Sequence, residues 1–288
     1  MSFSAGQAMR IDTLERLTMV GSAFRKTGKP VVLVPLGNGV HAGHIALVRA
    51  AKMVRGGVVV AALRSTEERD VQALRAEGVD VVFHYSHEVL WPRGRRIVIE
   101  PAGDCIEPRE ALREQLTEAV ALVGALRPTH VVVGEKDYEL MLALSHAIND
   151  LHLGARVQGV PTVRMPDGVA MSLRNVGVAE SAREDAGALS AALTAGAYAA
   201  EAGAEKVVET AREVLAASGV EPEYLELRGR DLGPAPEEGD ARLLIAATIG
   251  GVRLIDNVGL PLGIGFRNLE EHEAKAELAR ERDRENEG

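Results

Sequence analysis

Cysteine is almost absent from this chain, and so are long apolar runs. Cys105 is the one cysteine among 288 residues, which excludes an intrachain disulfide and a cysteine-rich metal site. No stretch of about 18 apolar residues occurs. The first residues, Met-Ser-Phe-Ser-Ala-Gly, lack the basic and then apolar pattern of a secretion signal. We therefore expect a cytoplasmic protein that does not enter a membrane.

Positive charge is also sparse. Lys and Arg together number 33 against 42 Asp and Glu, a formal net charge of −9, and no run of basic residues stands out. A protein that binds nucleic acid by neutralising phosphates is therefore not expected, although a local basic pocket for one small anion stays open. Hydrophobic residues make up 46% and charged residues 26%, which is typical of a globular protein and excludes a disordered chain.

The first half of the chain alternates short β-branched runs with helical patterns. Strands are predicted at residues 31–34, 58–63, 79–83, 97–99 and 131–133, and helices at residues 41–55, 64–77 and 110–126. Strands that are apolar on both faces and separated by helices indicate a parallel sheet with helices on each side. We predict an α/β fold with a first domain over residues 1–162.

The pattern changes around Pro161. Residues 181–217 are Ala-rich and strongly helical, with a break near Gly203, and short strands are predicted at residues 224–227, 242–248 and 252–255. Helices followed by strands indicate a smaller α+β domain over residues 163–288. Its acidic end, residues 268–288, is predicted to be a solvated helix without chemistry of its own.

A glycine-rich turn follows the first strong strand. Gly37 and Gly39 permit a tight turn, and His41 and His44 stand at the start of the next helix. At this spacing both imidazole rings project from one face and can contact the same anion, while Gly43 between them lets a ligand approach the backbone closely. The simpler alternative is two histidines that only cap the helix. A zinc site is disfavoured because a third ligand at a suitable spacing is missing.

Two further polar segments are candidates for chemistry. Lys136 and Asp137 stand where the strand at residues 131–133 ends and a helix begins, a place where open parallel sheets bind ligands. Lys136 could pair with phosphate, and Asp137 could hold a ribose hydroxyl or Mg²⁺; alternatively, Asp137 is an ordinary helix cap. Arg174 lies beyond the predicted domain boundary. It could close over an anion from the second domain, or it could belong to an ordinary surface loop.

Taken together, these segments resemble a known family. His41-x-Gly-His44 is similar to the His-x-Gly-His signature of the nucleotidylyltransferase superfamily. Residues 41–52, Gly-Glu-Lys-Asp-Tyr at 134–138, and residues 159–164, 167–172 and 174–175 resemble the pantothenate synthetase (pantoate–β-alanine ligase) family. Residues 224–228 and 242–257 are similar to the C-terminal domain of that family.

The resemblance implies a fold, a reaction and a set of roles. The first domain would be a Rossmann-like nucleotidylyltransferase domain and the second a lid. With ATP and Mg²⁺, a homodimer would convert pantoate to pantoyl adenylate and pyrophosphate, and the amine of β-alanine would then attack the acyl carbon. No side chain is assigned as a metal ligand. Donors to phosphate would be His41, His44, Lys136, Ser172 and Arg174, while Asp137 and the backbone near Gly134 and Val163 would hold the nucleoside, with Gly43 leaving it room.

Departures from the family pattern fall mostly where pantoate would bind. The family's Thr-Met-Gly-Ala-Leu is replaced by residues 36–40, its Asn-Pro-x-Gln-Phe is missing after the second predicted strand, and a second pantoate-binding glutamine is Leu140. Its paired serines are Ser172 and Leu173. Because a site built to hydrogen-bond its substrate discriminates by as much as about 10⁴–10⁵, we hypothesise that nucleotide binding persists while the acid differs from pantoate or is held in a new way.

Two alternatives to a ligase stay open. One is a non-catalytic paralogue that binds nucleotide or a partner. The other is a transferase that joins a nucleotide to a phosphorylated substrate, which the resemblance of the second half disfavours.

Overall fold

A computed structural model describes residues 4–263, and these form two compact units. The first contains the described residues up to Met165 together with Ala170–Leu173, and the second contains Pro166–Val169 and the described residues from Arg174 onward. The acidic segment at residues 268–288 lies outside the described residues.

Six parallel strands form the sheet of the first unit. They are β1 (Met9–Ile11), β2 (Val31–Gly37), β3 (Val58–Leu63), β4 (Val81–His84), β5 (His130–Gly134) and β6 (Arg156–Val160), in the order β1-β4-β3-β2-β5-β6. From β2 the chain moves outward through β3 and β4, then returns to the other side of β2 for β5 and β6. The direction of winding therefore reverses between β2 and β5, the place where such sheets bind ligands.

Helices cover both faces of this sheet, as the alternation of apolar runs and helical patterns predicts. They are α1 (Leu14–Lys26), α2 (Ala42–Lys52), α3 (Glu68–Ala76), α4 (His87–Leu90), α5 (Arg109–Leu126) and α6 (Tyr138–Asp150). Because successive strand residues face opposite sides, Val31 and Leu33 pack with α1, α5 and α6, whereas Val32 and Val34 pack with α2 and α3. None of the helices between residues 4 and 263 is long and apolar enough to cross a lipid bilayer.

The second unit pairs two long helices with an antiparallel sheet. Helices α7 (Arg183–Tyr198) and α8 (Ala204–Ala217) precede strands β7 (Tyr224–Gly229), β8 (Gly239–Ile249) and β9 (Val252–Leu262), which lie in that order. The predicted break between the two helices is present at Gly203, whose φ of +94° favours glycine. The predicted fold class, a Rossmann-like parallel sheet followed by a smaller α+β unit, is confirmed.

One predicted strand is wrong. Residues 97–99 are not part of any strand among the described residues, although their β-branched side chains favour an extended backbone. A strand needs a neighbour to complete its hydrogen bonds. Within residues 4–263, the hydrogen bonds of this segment run only between the backbone of Ile99 and the hydroxyl of Thr117 on α5. The helix predicted from residue 64 begins later, at Glu68.

Candidate active site

The loops that follow β2 and β5 meet at the carboxyl edge of the sheet. These strands are neighbours: Val32 pairs with His130 and Leu33 with Val131. After β2 the chain enters α2 through residues 38–41, and after β5 it enters α6 through the 3₁₀ turn Glu135–Asp137. A β-carbon on Gly134 would lie 3.9 Å from Cδ2 of Leu47, so α2 covers the end of β5. The fold therefore brings the two polar segments together.

The histidine pair begins α2 and is stacked. The ring centroids of His41 and His44 lie 3.8 Å apart with 24° between the ring planes. His41 is the N-cap, and its Nδ1 accepts a hydrogen bond of 3.1 Å from the backbone N–H of Gly43. A β-carbon at Gly43 would lie 2.8 Å from Cε1 of His41. Glycine is therefore required between the histidines by the position of the first ring, a reason that the sequence alone did not reveal.

Burial keeps both imidazoles uncharged near neutral pH. It lowers the pKa of His44 to about 4, and the neighbouring charge of His41 adds to this effect, while a backbone hydrogen bond at Gly39 acts in the opposite direction. The pKa of His41 is also lowered, first by burial and then by the positive charge of Lys136. These neutral rings can donate hydrogen bonds without requiring a counter-ion.

The fixed positive charge comes from Lys136 and from the start of α2. The Lys136 side chain is 14% exposed, and its Nζ lies 3.6 Å from Oδ1 of Asp137. The first turn of α2 contains no acidic residue, so its free N–H groups and its dipole favour an anion. Nδ1 of His44 is buried without a hydrogen-bond partner among residues 4–263. A buried polar atom of this kind is typical of a ligand site.

The remaining residues suggested by the resemblance lie on a hairpin-like segment. The N–H of Met171 donates to the carbonyl of Val163 at 2.8 Å, which places Ser172 close to Val163. Leu173 is in contact with the loop after β2, because a β-carbon on Gly39 would lie 3.4 Å from its Cδ1. Arg174 is the first residue of the second unit after this segment and is exposed, on the 3₁₀ helix Leu173–Gly177.

A second polar network lies at the same edge, beside β3 and β4, and sequence reasoning missed it. The backbone N–H of Arg64 donates to the carbonyl of Gly37 at 2.7 Å, while its Nη1 lies 3.0 Å from Oε2 of Glu118 on α5. The buried hydroxyl of Tyr85 donates to Oε1 of the same glutamate at 2.7 Å. Burial and the Glu118 charge raise the pKa of Tyr85 well above its usual range. We call Arg64, Glu118 and Tyr85 the β3 edge network.

Among residues 4–263, the side chains at this edge suit a metal ion only if the phosphates of a bound nucleotide supply further ligands. Among residues 4–263 no group of three or more His, Cys, Asp or Glu side chains is placed to hold a metal. Mg²⁺ usually keeps several waters and is held by one or two carboxylates together with substrate phosphates. Asp137, whose side chain is 45% exposed, can supply one such carboxylate to an ion that arrives with a nucleotide.

These features define an α/β protein with a candidate anion site, made of a histidine pair, a lysine and a helix N-terminus, at the topological switch point of its sheet. Comparison with known proteins narrows the class. The family model described as pantoate-beta-alanine ligase matches residues 61–259. A pantothenate synthetase of Corynebacterium jeikeium is 42% identical over 94% of this chain and 96% of that protein. One from Mycolicibacterium smegmatis is 41% identical over 91% of this chain and 90% of that protein.

Solved structures agree in fold. The pantothenate synthetase of Thermus thermophilus superposes with a TM-score of 0.78 and 27% identity over 87% of this chain and 98% of that chain. The pantoate-beta-alanine ligase of Francisella tularensis, solved with a β-γ ATP compound and β-alanine, gives a TM-score of 0.70 at 23% identity over 87% and 97% of the two chains. The present chain belongs to the pantoate–β-alanine ligase family, a family of enzymes.

Proposed function

We propose that this enzyme uses ATP to activate a short hydroxy acid, pantoate or a close relative, as an acyl adenylate. β-Alanine or a similar amine then takes the acyl group. The observation that carries the proposal is the stacked pair of neutral histidines beside Lys136 at the start of α2. The names of the relatives, and the ATP compound and β-alanine bound to the Francisella tularensis enzyme, support the same substrates.

In the first step a carboxylate oxygen of the acid attacks the α-phosphorus of ATP. The bond from this phosphorus to the bridging oxygen breaks, and pyrophosphate leaves. Negative charge grows on phosphate oxygens, and donors that are already aimed at them stabilise it most. His41, His44 and Lys136 supply such donors, and Ser172 adds a hydroxyl. Mg²⁺, when bound through the phosphates and Asp137, would neutralise part of the charge of the leaving pyrophosphate.

In the second step the nitrogen of the neutral amine attacks the acyl carbon, AMP leaves with the electrons of the acyl–oxygen bond, and the nitrogen releases one proton to solvent as the amide forms. This step needs no nucleophilic side chain, because the adenylate is already a good acylating agent. Asp137 and the backbone near Gly134 and Val163 are proposed to hold the nucleoside, and Gly43 to leave it room. The phosphate contact of Arg174 stays a prediction from the family resemblance.

The acid is proposed to bind beside the β3 edge network. Leu140, where the family has a glutamine, is half-buried and packs against the hydrophobic core, so it offers the acid no hydrogen bond. Arg64 and Glu118 together present a donor and an acceptor with no net charge, the same combination that an amide offers. They can therefore replace the missing amides toward a hydroxy acid, which supports an acid that is held in a new way.

The contact between Leu173 and Gly39 favours an adapted site over a decayed one. The family has serine and alanine at these positions. Here the larger side chain faces a glycine, and a β-carbon added to that glycine would lie 3.4 Å from Cδ1 of Leu173, in van der Waals contact with it. Two departures that fit each other in space are expected from a site whose packing has been maintained.

Acid-dependent exchange of labelled pyrophosphate into ATP tests the proposal. Exchange is expected with pantoate or another short hydroxy acid and without any amine, because the adenylate forms reversibly before the amine is needed. His44→Asn should slow it by about 10²–10³-fold, the usual cost of losing one transition-state donor. ATP binding without exchange for any acid of a broad panel would contradict the proposal and favour the non-catalytic alternative.

A further inference from the structure

The loop at residues 101–107 leads from residues 97–99 to α5 and contains no helix or strand. Its end contacts Glu139, a half-buried residue in the first turn of α6. Neither the family motifs nor the proposed chemistry assigns this carboxylate a role. We propose that Glu139 is a positioning residue, which holds the loop as a wall of the pocket for the acid. This role rests on the proposed function, because it concerns the acid that the enzyme activates.

The carboxylate of Glu139 accepts two backbone hydrogen bonds from the end of the loop. The N–H of Ile106 donates to its Oε1 at 3.0 Å, and the N–H of Glu107 donates to its Oε2 at 2.7 Å. Hydrogen bonds to an ionised acceptor are roughly twice as strong as neutral ones. Because the two donors belong to adjacent residues, the pair of bonds fixes both the position and the direction of the backbone there.

A second side chain holds the beginning of the loop. Arg109, the first residue of α5, donates from Nη1 to the carbonyl of Pro101 at 3.2 Å and from Nη2 to the carbonyl of Gly103. The loop is therefore attached to α5 at its beginning and to α6 at its end. Ordering a free loop costs conformational entropy for every residue that is fixed. With both side chains in place, the loop is already ordered before any substrate binds.

The loop lies next to the place where the acid is proposed to bind. It begins after Ile99, whose backbone is bonded to Thr117, the neighbour of Glu118 in the β3 edge network. Because α5 rises about 1.5 Å per residue, its first residue lies about 13 Å from Glu118, beyond the carboxyl edge of the sheet. Glu139 is followed by Leu140, which packs against the same core cluster as Ile99. The loop therefore runs from the β3 edge network to the start of α6, along the proposed acid pocket.

A wall that is already in place raises the affinity for the acid. When only a fraction of the molecules has the loop in place, the apparent dissociation constant is the intrinsic one divided by that fraction. Loss of two charge-assisted hydrogen bonds should lower this fraction to on the order of one tenth. ATP is proposed to bind at the histidine pair and Lys136, so its affinity should not depend on the loop.

Amide hydrogen exchange tests the contact without any substrate. In Glu139→Ala and Glu139→Gln, the amides of Ile106 and Glu107 should exchange at least about tenfold faster than in the wild type, because they lose a charged acceptor. Glu110→Gln is the matched control: this carboxylate is 84% exposed on the first turn of α5 and does not contact the loop backbone. Wild-type exchange rates in both Glu139 variants would overturn the proposal.

Acid-dependent pyrophosphate exchange tests the role in binding the acid. Both Glu139 variants should raise the KM for the acid about tenfold, while the KM for ATP and the rate at saturating acid stay within about twofold of the wild type. Arg109→Met releases the beginning of the loop from an exposed position, so it should also raise the KM for the acid, and it serves as the test if the Glu139 variants do not fold. Glu110→Gln should change neither KM.

The outcomes separate this role from the proposed function. A wild type that exchanges pyrophosphate with no acid would refute the proposed function, and the role of Glu139 with it. An active wild type whose Glu139 and Arg109 variants keep the same KM for the acid would overturn the role of Glu139 alone. Equal rises in the KM for the acid and for ATP would overturn it as well, because they would show a general disturbance of the site.

Discussion

Burial of the His44 imidazole makes the stability of the first unit depend on pH. The pKa of this group is about 4 in the folded protein and 6.5 when it is solvated. Above its solvated pKa the group is neutral in both states, and stability is unaffected. As the pH falls from 6.5 toward 4, His44 binds a proton in the unfolded chain but not in the folded protein, so the free energy of unfolding decreases.

The size of this effect follows from the two pKa values. One pKa unit corresponds to about 1.4 kcal/mol. Between about pH 7.5 and about pH 5 the group should remove about 2 kcal/mol from the free energy of unfolding, and the full loss below pH 4 approaches about 3 kcal/mol. His44→Asn removes the titrating group, so this variant should lose about 2 kcal/mol less than the wild type between the same two pH values.

Urea unfolding at these two pH values measures the difference. Trp91, the one tryptophan in the chain, lies in the first unit, so its fluorescence reports on that unit. His146→Asn is the matched control, because His146 is exposed on α6; this variant should lose stability as the wild type does. Equal losses for the wild type and His44→Asn would refute the claim that the folded protein keeps His44 neutral.

Two further predictions concern packing and the acid. In Gly21→Ala the new β-carbon would lie 2.1 Å from the backbone oxygen of Leu126, whereas at Gly124 it would meet no atom within 4 Å. Gly21→Ala should lower the free energy of unfolding by about 2–3 kcal/mol or more, whereas Gly124→Ala should raise it by about 0.5–1 kcal/mol. Equal effects of the two changes in urea unfolding would contradict the described contact of α1 with α5. Arg64→Gln should raise the KM for the acid about tenfold, because a charged hydrogen bond is lost, and it should leave the KM for ATP nearly unchanged. Steady-state kinetics in which both KM values rise equally would refute the role of the β3 edge network.

The sequence was informative where a local pattern decides the structure. The runs at residues 31–34, 58–63 and 131–133 have no polar face, which requires a sheet buried on both sides, and the structure contains β2, β3 and β5 at these places. Lys136 and the histidine pair could be placed at one edge because both segments follow parallel strands. Whether the two segments are close together then depends only on which strands are neighbours. Because the winding reverses after β2, β2 and β5 lie side by side.

Other features depend on contacts between distant residues and could not be predicted in this way. The partner of Arg64 lies 54 positions away on α5, and no spacing rule connects the two. The strand prediction at residues 97–99 rested on local preference alone, which could not show that residues 4–263 provide this segment with no neighbouring strand. The low pKa of His44 likewise arises from burial, which only the folded chain determines.

The central claim is that His41, His44 and Lys136 hold the phosphates of ATP, and calorimetric titration with ATP tests it most directly. Lys136→Met should bind ATP about 10-fold to 100-fold more weakly, because it loses a charged hydrogen bond to phosphate. Lys52→Met is the control, since Lys52 is exposed at the far end of α2 and donates to the carbonyl of Glu77 at 2.6 Å. Full ATP affinity in Lys136→Met, or an equal loss in both variants, would contradict the account.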